Sequence, residues 1–133
     1  MGLETIRASG PVIVDNRRIL LIRDNKDDFY KFPGGKVEKG EDLEGACIRE
    51  AKEEINAHIR ILTRLSTMFL RVNPQTGKPA DIELYHYRAY LTNKDELSPG
   101  KGIEEIRWFD IDKLKQYHIA PNVKYLLERG ELR

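Results

Sequence analysis

The fold is decided by residues 34–57, which read GGKVEKGEDLEGACIREAKEEINA. From Asp42 to about Asn56 this stretch predicts a helix, because acidic residues lie at its positive N-terminal end and an asparagine follows its last turn. At roughly 100° per residue, five apolar side chains form one continuous arc on this helix. They are Leu43, Cys47, Ile48, Ala51 and Ile55. We expect this arc to pack against the core.

Three carboxylates accompany the arc: Glu50 and Glu54 fall inside its margin, and Glu53 lies beside them. Ionised carboxylates against a core are costly unless positive charge accompanies them, and carboxylates one helical turn apart repel each other. A divalent cation would resolve both costs, and hard oxygen ligands suit Mg²⁺ or Mn²⁺ rather than zinc. The alternative is a solvated acidic face balanced by Arg49 and Lys52.

The segment resembles the Nudix box, G-x5-E-x7-R-E-U-x-E-E-x-G-U, in which U is a bulky aliphatic residue. Gly35, Glu41 and the run 49–57 match this pattern in register, and every charged position is present. The departures are alanine at two aliphatic positions, 51 and 57, and Asn56 in place of the usual glycine. Asparagine tolerates the left-handed conformation that glycine provides there, so the departure leaves the chemistry intact.

The resemblance implies a single Nudix hydrolase domain over residues 1–133, with the box at 35–57 and an α/β/α sandwich around a mixed β-sheet. Phe32-Pro33 before the glycines and the strand 106–109 are also usual neighbours of the box in this family. The residue pattern agrees with an α+β fold, because strands dominate, one helix lies mid-chain and two short helices end it. Strands are predicted at 11–14 and 19–23 (a hairpin), 58–71, 82–91 and 103–109, and the late helices at 111–117 and 121–129.

Nudix enzymes hydrolyse a nucleoside diphosphate linked to another moiety, by attack of water on phosphorus with the help of a divalent metal. The resemblance implies that Glu50, Glu53 and Glu54 hold Mg²⁺ (or Mn²⁺), with help from the backbone carbonyl of Gly34. It leaves the number of metals open. The implied chemistry is consistent, because the clustered negative charge of a diphosphate must be screened and the water must be activated.

The resemblance gives Arg49 the task of orienting the carboxylates while it pairs with Glu41. Glu53 or Glu54 could deprotonate the water, although many family members take this base from a later loop. The later candidates are Glu96, Glu104 and Glu105. Among these three we select Glu105, and a plain surface charge is the alternative for each.

Substrate contacts are predicted at three further positions. Arg23 and Lys36 are candidates to bind phosphate, with a solvated cation as the alternative. Asn122 lies where some family members touch the nucleobase, and it could equally cap the last helix. Tyr85, Tyr87 and Tyr90 could stack on a base or pack within the sheet. The three histidines, 58, 86 and 118, have no metal-ligand spacing, and we interpret them as structural or exposed.

Residues after the box favour some substrate classes over others. Pro74 lies 17 residues past Ala57, and no tyrosine appears between the box and Tyr85. In the family this pattern leans toward a nucleotide sugar such as ADP-ribose and away from diadenosine polyphosphates. A nucleoside triphosphate pyrophosphohydrolase is a comparable possibility. The alternative from another class is a catalytically silent nucleotide-binding module, which usually loses a box glutamate.

Composition excludes several other classes. The 133 residues carry 23 Lys+Arg against 22 Asp+Glu, so the net charge of +1 gives no pull toward nucleic acid or an anionic membrane. No apolar run approaches the ~18 residues that span a bilayer. The single cysteine, Cys47, cannot form an internal disulfide, so we expect a reducing compartment, the cytoplasm, and interpret Cys47 as a small core residue. The resemblance implies a monomer or homodimer that acts on a small nucleotide-type molecule.

Overall fold

The computed structural model describes residues 3–74 and 76–133 of the chain. The strands are β1 (Thr5–Asp15), β2 (Arg18–Asp24), β3 (Gly35–Lys36), β4 (Ile59–Arg64), β5 (Met68–Val72), β6 (Pro79–Leu91) and β7 (Ile103–Asp110). The α-helices are α1 (Leu43–Ile55) and α2 (Pro121–Glu128), and short 3-10 helices cover Lys94–Glu96 and Ile111–Gln116. No helix in these ranges is long and apolar enough to cross a membrane.

The strands form a mixed sheet in the order β4-β6-β1-β2-β7, with β3 paired to β1 and β5 paired to β6. The central neighbours β1 and β6 are parallel, with Thr5 opposite Asp81 and Ile13 opposite Ala89. The other pairings are antiparallel. This arrangement confirms the predicted α+β class with a mixed sheet.

Both faces of the sheet are covered by helices. Successive side chains of a strand point to opposite faces, so each face contributes its own set of residues to a core. On one face, residues of α1 pack against alternate strand residues; this core comprises Ile13, Leu20, Ile22, Ala51, Ile55, Ala57 and Ala89. On the opposite face, α2 and the second 3-10 helix cover the other set; that core includes Val12, Ile19, Leu21, Phe109, Leu114, Val123 and Leu126. The box helix and the C-terminal helix therefore lie on different sides of the sheet.

Helix α1 has the caps that its sequence predicts. Asp42 accepts a hydrogen bond from the backbone N–H of Gly45 at 2.6 Å, and Asn56 takes the left-handed conformation with φ of 54°. The buried residues of the helix are Ala46, Cys47, Ala51 and Ile55. The placement of Ile48 in the buried arc was wrong, because its side chain is 45% exposed. Cys47 is a core residue, as predicted.

The prediction of one strand over 58–71 was wrong, because the segment forms two strands, β4 and β5. Contacts from residues that are distant in sequence explain the break. Ser66 lies in the break, where its N–H donates to the carboxylate of Glu131 at 2.9 Å. Its carbonyl lies 2.8 Å from Nδ1 of His86. The C-terminal segment and a buried histidine thus bind the backbone N–H and carbonyl of Ser66, which would otherwise have continued the β-sheet hydrogen bonds of one long strand.

The predicted hairpin of β1 and β2 is confirmed, with positive φ at Asn16 and Arg17.

Candidate active site

A close crossing of two backbones shapes the loop before the box helix. A Cβ on Gly10 would lie 2.0 Å from the carbonyl oxygen of Pro33, and one on Gly34 would lie 2.7 Å from the carbonyl oxygen of Ser9. Gly34 also has a φ of 145°, which side chains disfavour. Because only glycine permits this approach, the loop is held directly over β1, and the N–H of Gly34 donates to Oε1 of Glu54 at 2.5 Å.

Glu50 lies against the next glycine of the same loop. A Cβ on Gly35 would come within 2.6 Å of the Glu50 carboxyl group, so the loop packs directly on this side chain. The side chain of Glu50 is only 14% exposed. Burial raises the pKa of Glu50 even though Arg49 beside it acts in the opposite direction.

Glu54 is the most perturbed carboxyl group of the helix. Burial raises its pKa from 4.5 to about 7, and the nearby Glu50 acts in the same direction. The N–H of Gly34 and the charge of Lys31 oppose this rise, whereas Asp24 adds to it. Two carboxyl groups with raised pKa values therefore face a glycine loop and share one electrostatic environment.

Arg49 joins the loop to the helix. Its guanidinium binds Glu41 through two hydrogen bonds, from Nε at 2.5 Å and from Nη2 at 2.9 Å. Nη2 also donates to the carbonyl of Lys36 at 3.1 Å, which ties down the loop. Nη1 donates to Glu50 at 2.9 Å and to Glu53 at 3.1 Å. The pairing of Arg49 with Glu41 lowers the pKa of Glu41 to about 2.

The donor set fits a hard divalent cation in its chemistry, because Glu50 and Glu54 offer carboxylate oxygens whose charge is poorly solvated. Glu53 differs from them, since its side chain is 60% exposed. Within residues 3–74 and 76–133, no three acidic, histidine or cysteine side chains are gathered as a ready-made metal site. Glu53 instead contacts Arg49, and Glu54 accepts from the Gly34 amide.

Glu105 lies away from these carboxylates. Its carboxylate accepts a hydrogen bond from the hydroxyl of Tyr30 at 2.8 Å and faces Nε of Arg23 at 3.5 Å. It is two residues from Arg107, whose guanidinium stacks over Phe109, a member of the core on the α2 side. Glu105 therefore lies on the sheet face opposite the box helix, and the structure brings it together with Arg23 but not with Glu50 or Glu54.

Asn122 contacts a buried histidine. Its Nδ2 lies 3.0 Å from Nε2 of His86. The alternative that Asn122 caps the last helix was wrong, because Ala120 is the N-cap residue of α2 and no side chain caps it. Lys36 is exposed, and its carbonyl rather than its side chain carries the contact with Arg49.

The tyrosines of β6 differ from one another. Tyr87 is buried, the hydroxyl of Tyr85 donates to Glu83, and Tyr90 is exposed.

Sequence reasoning missed Gly10 and Asp24 as parts of the site. The glycine did carry a signal, because a glycine inside an apolar strand often marks the close approach of another backbone.

Comparisons with known proteins agree with this architecture. A model of the NUDIX domain family matches residues 5–129. The chain is 30% identical over 123 residues to the m7GpppN-mRNA hydrolase of Saccharomyces cerevisiae, a match that covers 87% of this chain and 12% of the yeast protein. It is 24% identical over 127 residues to the uncharacterized Nudix hydrolase YvcI of Bacillus subtilis, covering 92% of this chain and 77% of YvcI.

Among solved structures, the MutT NUDIX hydrolase from Burkholderia pseudomallei is similar with a TM-score of 0.77 and 26% identity, covering 94% of this chain and 97% of that one. A mixed sheet between helices, with a carboxylate-rich helix behind a glycine loop, is the architecture that this chain shares with proteins of the NUDIX domain class. The chain belongs to the NUDIX family. Nudix hydrolases generally use a divalent metal.

Proposed function

We propose that residues 1–133 form one Nudix hydrolase domain that uses Mg²⁺ (or Mn²⁺) to hydrolyse the pyrophosphate bond of a nucleotide sugar such as ADP-ribose, or of a nucleoside triphosphate. The observation that carries this proposal is the juxtaposition of the partly buried carboxylates Glu50 and Glu54 with the loop at Gly34 and Gly35. Glu53 and the carbonyl of Gly34 would complete the ligand set.

The cation, when bound, would screen the diphosphate and lower the pKa of the attacking water. Arg49 would hold the carboxylates and the loop in register through its contacts with Glu41, Glu50 and the Lys36 carbonyl. Glu54 or Glu53 would accept the proton of the water. Glu105 is better placed to orient Arg23 than to act as this base.

Substrate contacts are proposed at Arg23, Lys36 and Asn122. Arg23 supports this assignment because it is about a third exposed and is oriented by Glu105. Lys36 follows the loop that packs on Glu50, and its exposed side chain is available to a phosphate. The near-neutral charge of the chain favours a free nucleotide over a nucleic acid.

The cytoplasm suits a chain with one buried, unpaired cysteine, because thiols persist in reducing compartments. We propose a monomer or a homodimer there, and size-exclusion chromatography with light scattering distinguishes the two. A mass above that of two chains of 15.5 kDa would contradict this proposal.

Product analysis over a substrate panel tests the activity. The panel contains ADP-ribose, other nucleotide sugars, nucleoside triphosphates, diadenosine polyphosphates and, because of the name of the yeast relative, m7G-capped RNA. We expect hydrolysis with Mg²⁺ or Mn²⁺ to fall at least about 100-fold in Glu54→Gln, which removes a metal ligand and proton acceptor. The matched control is Glu44→Gln, on the exposed side of the same helix, which should keep the full rate.

Turnover of a nucleotide sugar or triphosphate that Glu54→Gln abolishes would support the proposal. A full rate in Glu54→Gln would refute the assignment of the metal ligand. The absence of turnover over the whole panel, together with retained nucleotide binding, would favour the silent binding module instead. Preferential hydrolysis of capped RNA would replace the proposed substrate class with the one in the yeast relative's name.

A further inference from the structure

Strand β5 forms an open edge of the sheet. Within residues 3–74 and 76–133 it pairs only with β6, so one of its two sides has no neighbouring strand. The backbone groups on that side bond to no other backbone or side chain in this part of the protein. An edge of this kind offers a row of hydrogen-bond donors and acceptors to a further strand.

Exposed apolar side chains are concentrated on the same edge. Phe69 is 66% exposed and Val72 is 51% exposed on β5, and Leu62 is 58% exposed on the neighbouring edge strand β4. Beside Phe69 there is a groove of about 270 Å³, whose lining includes Arg71 and Asp81. Apolar surface gathered on an open edge indicates an interaction surface.

The two faces of β5 differ in chemistry. Successive side chains of a strand point to opposite faces. One face therefore carries the apolar residues Met68, Leu70 and Val72, and the other carries an aromatic ring and a cation, Phe69 and Arg71. The Arg71 side chain is 85% exposed.

The register shift between β5 and β6 leaves this alternation intact. Leu70 lies opposite Ile82, and Val72 lies opposite Pro79, so two steps along β5 correspond to three along β6. The extra residue therefore belongs to β6, and β5 itself runs as a regular strand. Its open side can form an uninterrupted ladder with a partner strand.

The strand is complementary to a second copy of itself. In an antiparallel pair with a two-fold axis at Leu70, the two Leu70 side chains face each other, and Met68 of each copy faces Val72 of the other. On the opposite face, each Phe69 ring faces the Arg71 guanidinium of the other copy. Apolar cross-strand pairs and a guanidinium over an aromatic ring are both favourable, and no like charges are opposed.

The charges around the ring favour the same arrangement. Phe69 lies opposite Glu83 of its own chain, so a carboxylate stands beside the ring that the second copy's Arg71 would cover. Arg71 itself is held only loosely, with its Nη1 3.6 Å from Oδ1 of Asp81. An exposed cation and an acidic, aromatic groove thus lie on one strand, and a two-fold axis brings each onto the other.

We propose that two copies of this chain pair antiparallel through β5, about a two-fold axis at Leu70, so that their sheets become continuous. The axis is perpendicular to the joined sheet, so both α1 helices lie on the same face of it. Five residues from each chain make a small interface, and we expect a dissociation constant on the order of 10 µM. The inference goes beyond the proposed hydrolysis and does not rest on it, because no residue of β5 belongs to the candidate active site.

Sedimentation equilibrium of the unaltered protein tests the pairing. We expect the mass to rise from one chain of 15.5 kDa to two as the concentration increases from about 1 to 200 µM. A mass of one chain over this whole range would overturn the proposal. A mass that continues to rise beyond two chains would also overturn it, because the two-fold pair uses the edge completely.

Arg71→Glu tests the contact across the axis. It places a carboxylate over the Phe69 ring of the second copy and beside Glu83, so dimerisation should weaken at least about tenfold. Arg71→Lys keeps the cation and should stay within about threefold of the unaltered protein. The matched control is Arg60→Glu, which makes the same charge change at an exposed position of β4 and should have less than about a twofold effect. Equal weakening by Arg60→Glu and Arg71→Glu would overturn the assignment to β5.

Disulfide trapping tests the register. Residues directly opposed in an antiparallel pair have Cα atoms about 4.5–5.5 Å apart, which a disulfide can span. Leu70→Cys, treated with oxidised glutathione, should therefore form a covalent dimer at least about tenfold faster than Val72→Cys, which faces Met68 rather than itself. The native Cys47 is buried and does not compete. Equal rates in the two variants would overturn the proposed axis.

These measurements are independent of turnover. An inactive protein that still forms the dimer would count against the proposed function alone. An active protein that stays a single chain at about 200 µM would overturn the pairing alone.

Discussion

Glu54 makes the folded protein less stable when it is ionised, and this allows a quantitative prediction for Glu54→Gln. Burial raises the pKa of Glu54 from 4.5 to about 7. Between these pH values the folded protein keeps a proton that the unfolded chain has released, so its stability falls as the pH rises. At 1.36 kcal/mol for each pKa unit, the shift in the pKa of Glu54 lowers the free energy of unfolding at pH 8 by at most roughly 3 kcal/mol.

Glutamine resembles the protonated carboxyl group and can still accept from the Gly34 N–H. Without metal, Glu54→Gln should therefore match the unaltered protein at pH 4.5 and exceed its free energy of unfolding by roughly 2–3 kcal/mol at pH 8. Urea unfolding in EDTA, monitored by fluorescence of Trp108 at several pH values, measures this gap. Mg²⁺ at pH 8 should then stabilise the unaltered protein more than the variant.

The matched control is again Glu44→Gln, which is exposed on the same helix and should show a difference below about 0.5 kcal/mol that does not grow with pH. Equal stability of Glu54→Gln and the unaltered protein at both pH 4.5 and pH 8 would refute the reasoning. Such a result would mean that solvent or a rearranged side chain already accommodates the charge.

Three further outcomes follow from the local geometry. Asn56→Ala should lower the free energy of unfolding by about 1 kcal/mol because of its φ of 54°, whereas Asn56→Gly should be nearly neutral in the same urea titration. Gly10→Ala should destabilise by about 2 kcal/mol or more and slow hydrolysis, because its Cβ would displace Pro33 and with it Gly34; unchanged melting and turnover would contradict this. Cys47 should react with a thiol reagent only as fast as the protein unfolds, because burial raises its pKa to about 12.

Features of the fold that depend on near neighbours could be predicted from the sequence. Helix α1 follows from Asp42, Asn56 and an apolar period, all of which lie within a few turns of one another. The break between β4 and β5 could not be predicted in this way. It arises because Glu131 and His86, which are distant in sequence, bind the backbone of Ser66.

The same distinction holds for the candidate site. The proximity of Glu50 and Glu54 follows from the helical repeat alone. The position of Glu105 depends on which face of the sheet it occupies, and this is set by pairing with Arg23 and by a hydrogen bond from Tyr30. The orientation of Asn122 depends on a histidine 36 residues away, which local patterns in the sequence do not reveal.

The parallel pairing of β1 with β6 has a consequence for synthesis on the ribosome. Arg7 and Glu83, which face each other across this pair, are separated by 76 residues. At a synthesis rate of about 5–20 residues per second, roughly 4–15 seconds pass between the translation of β1 and that of its neighbour β6. During that time β2 can pair along one edge, but the other edge of an apolar strand stays open. The nascent chain is therefore expected to be more prone to association, and more dependent on chaperones, than the completed protein.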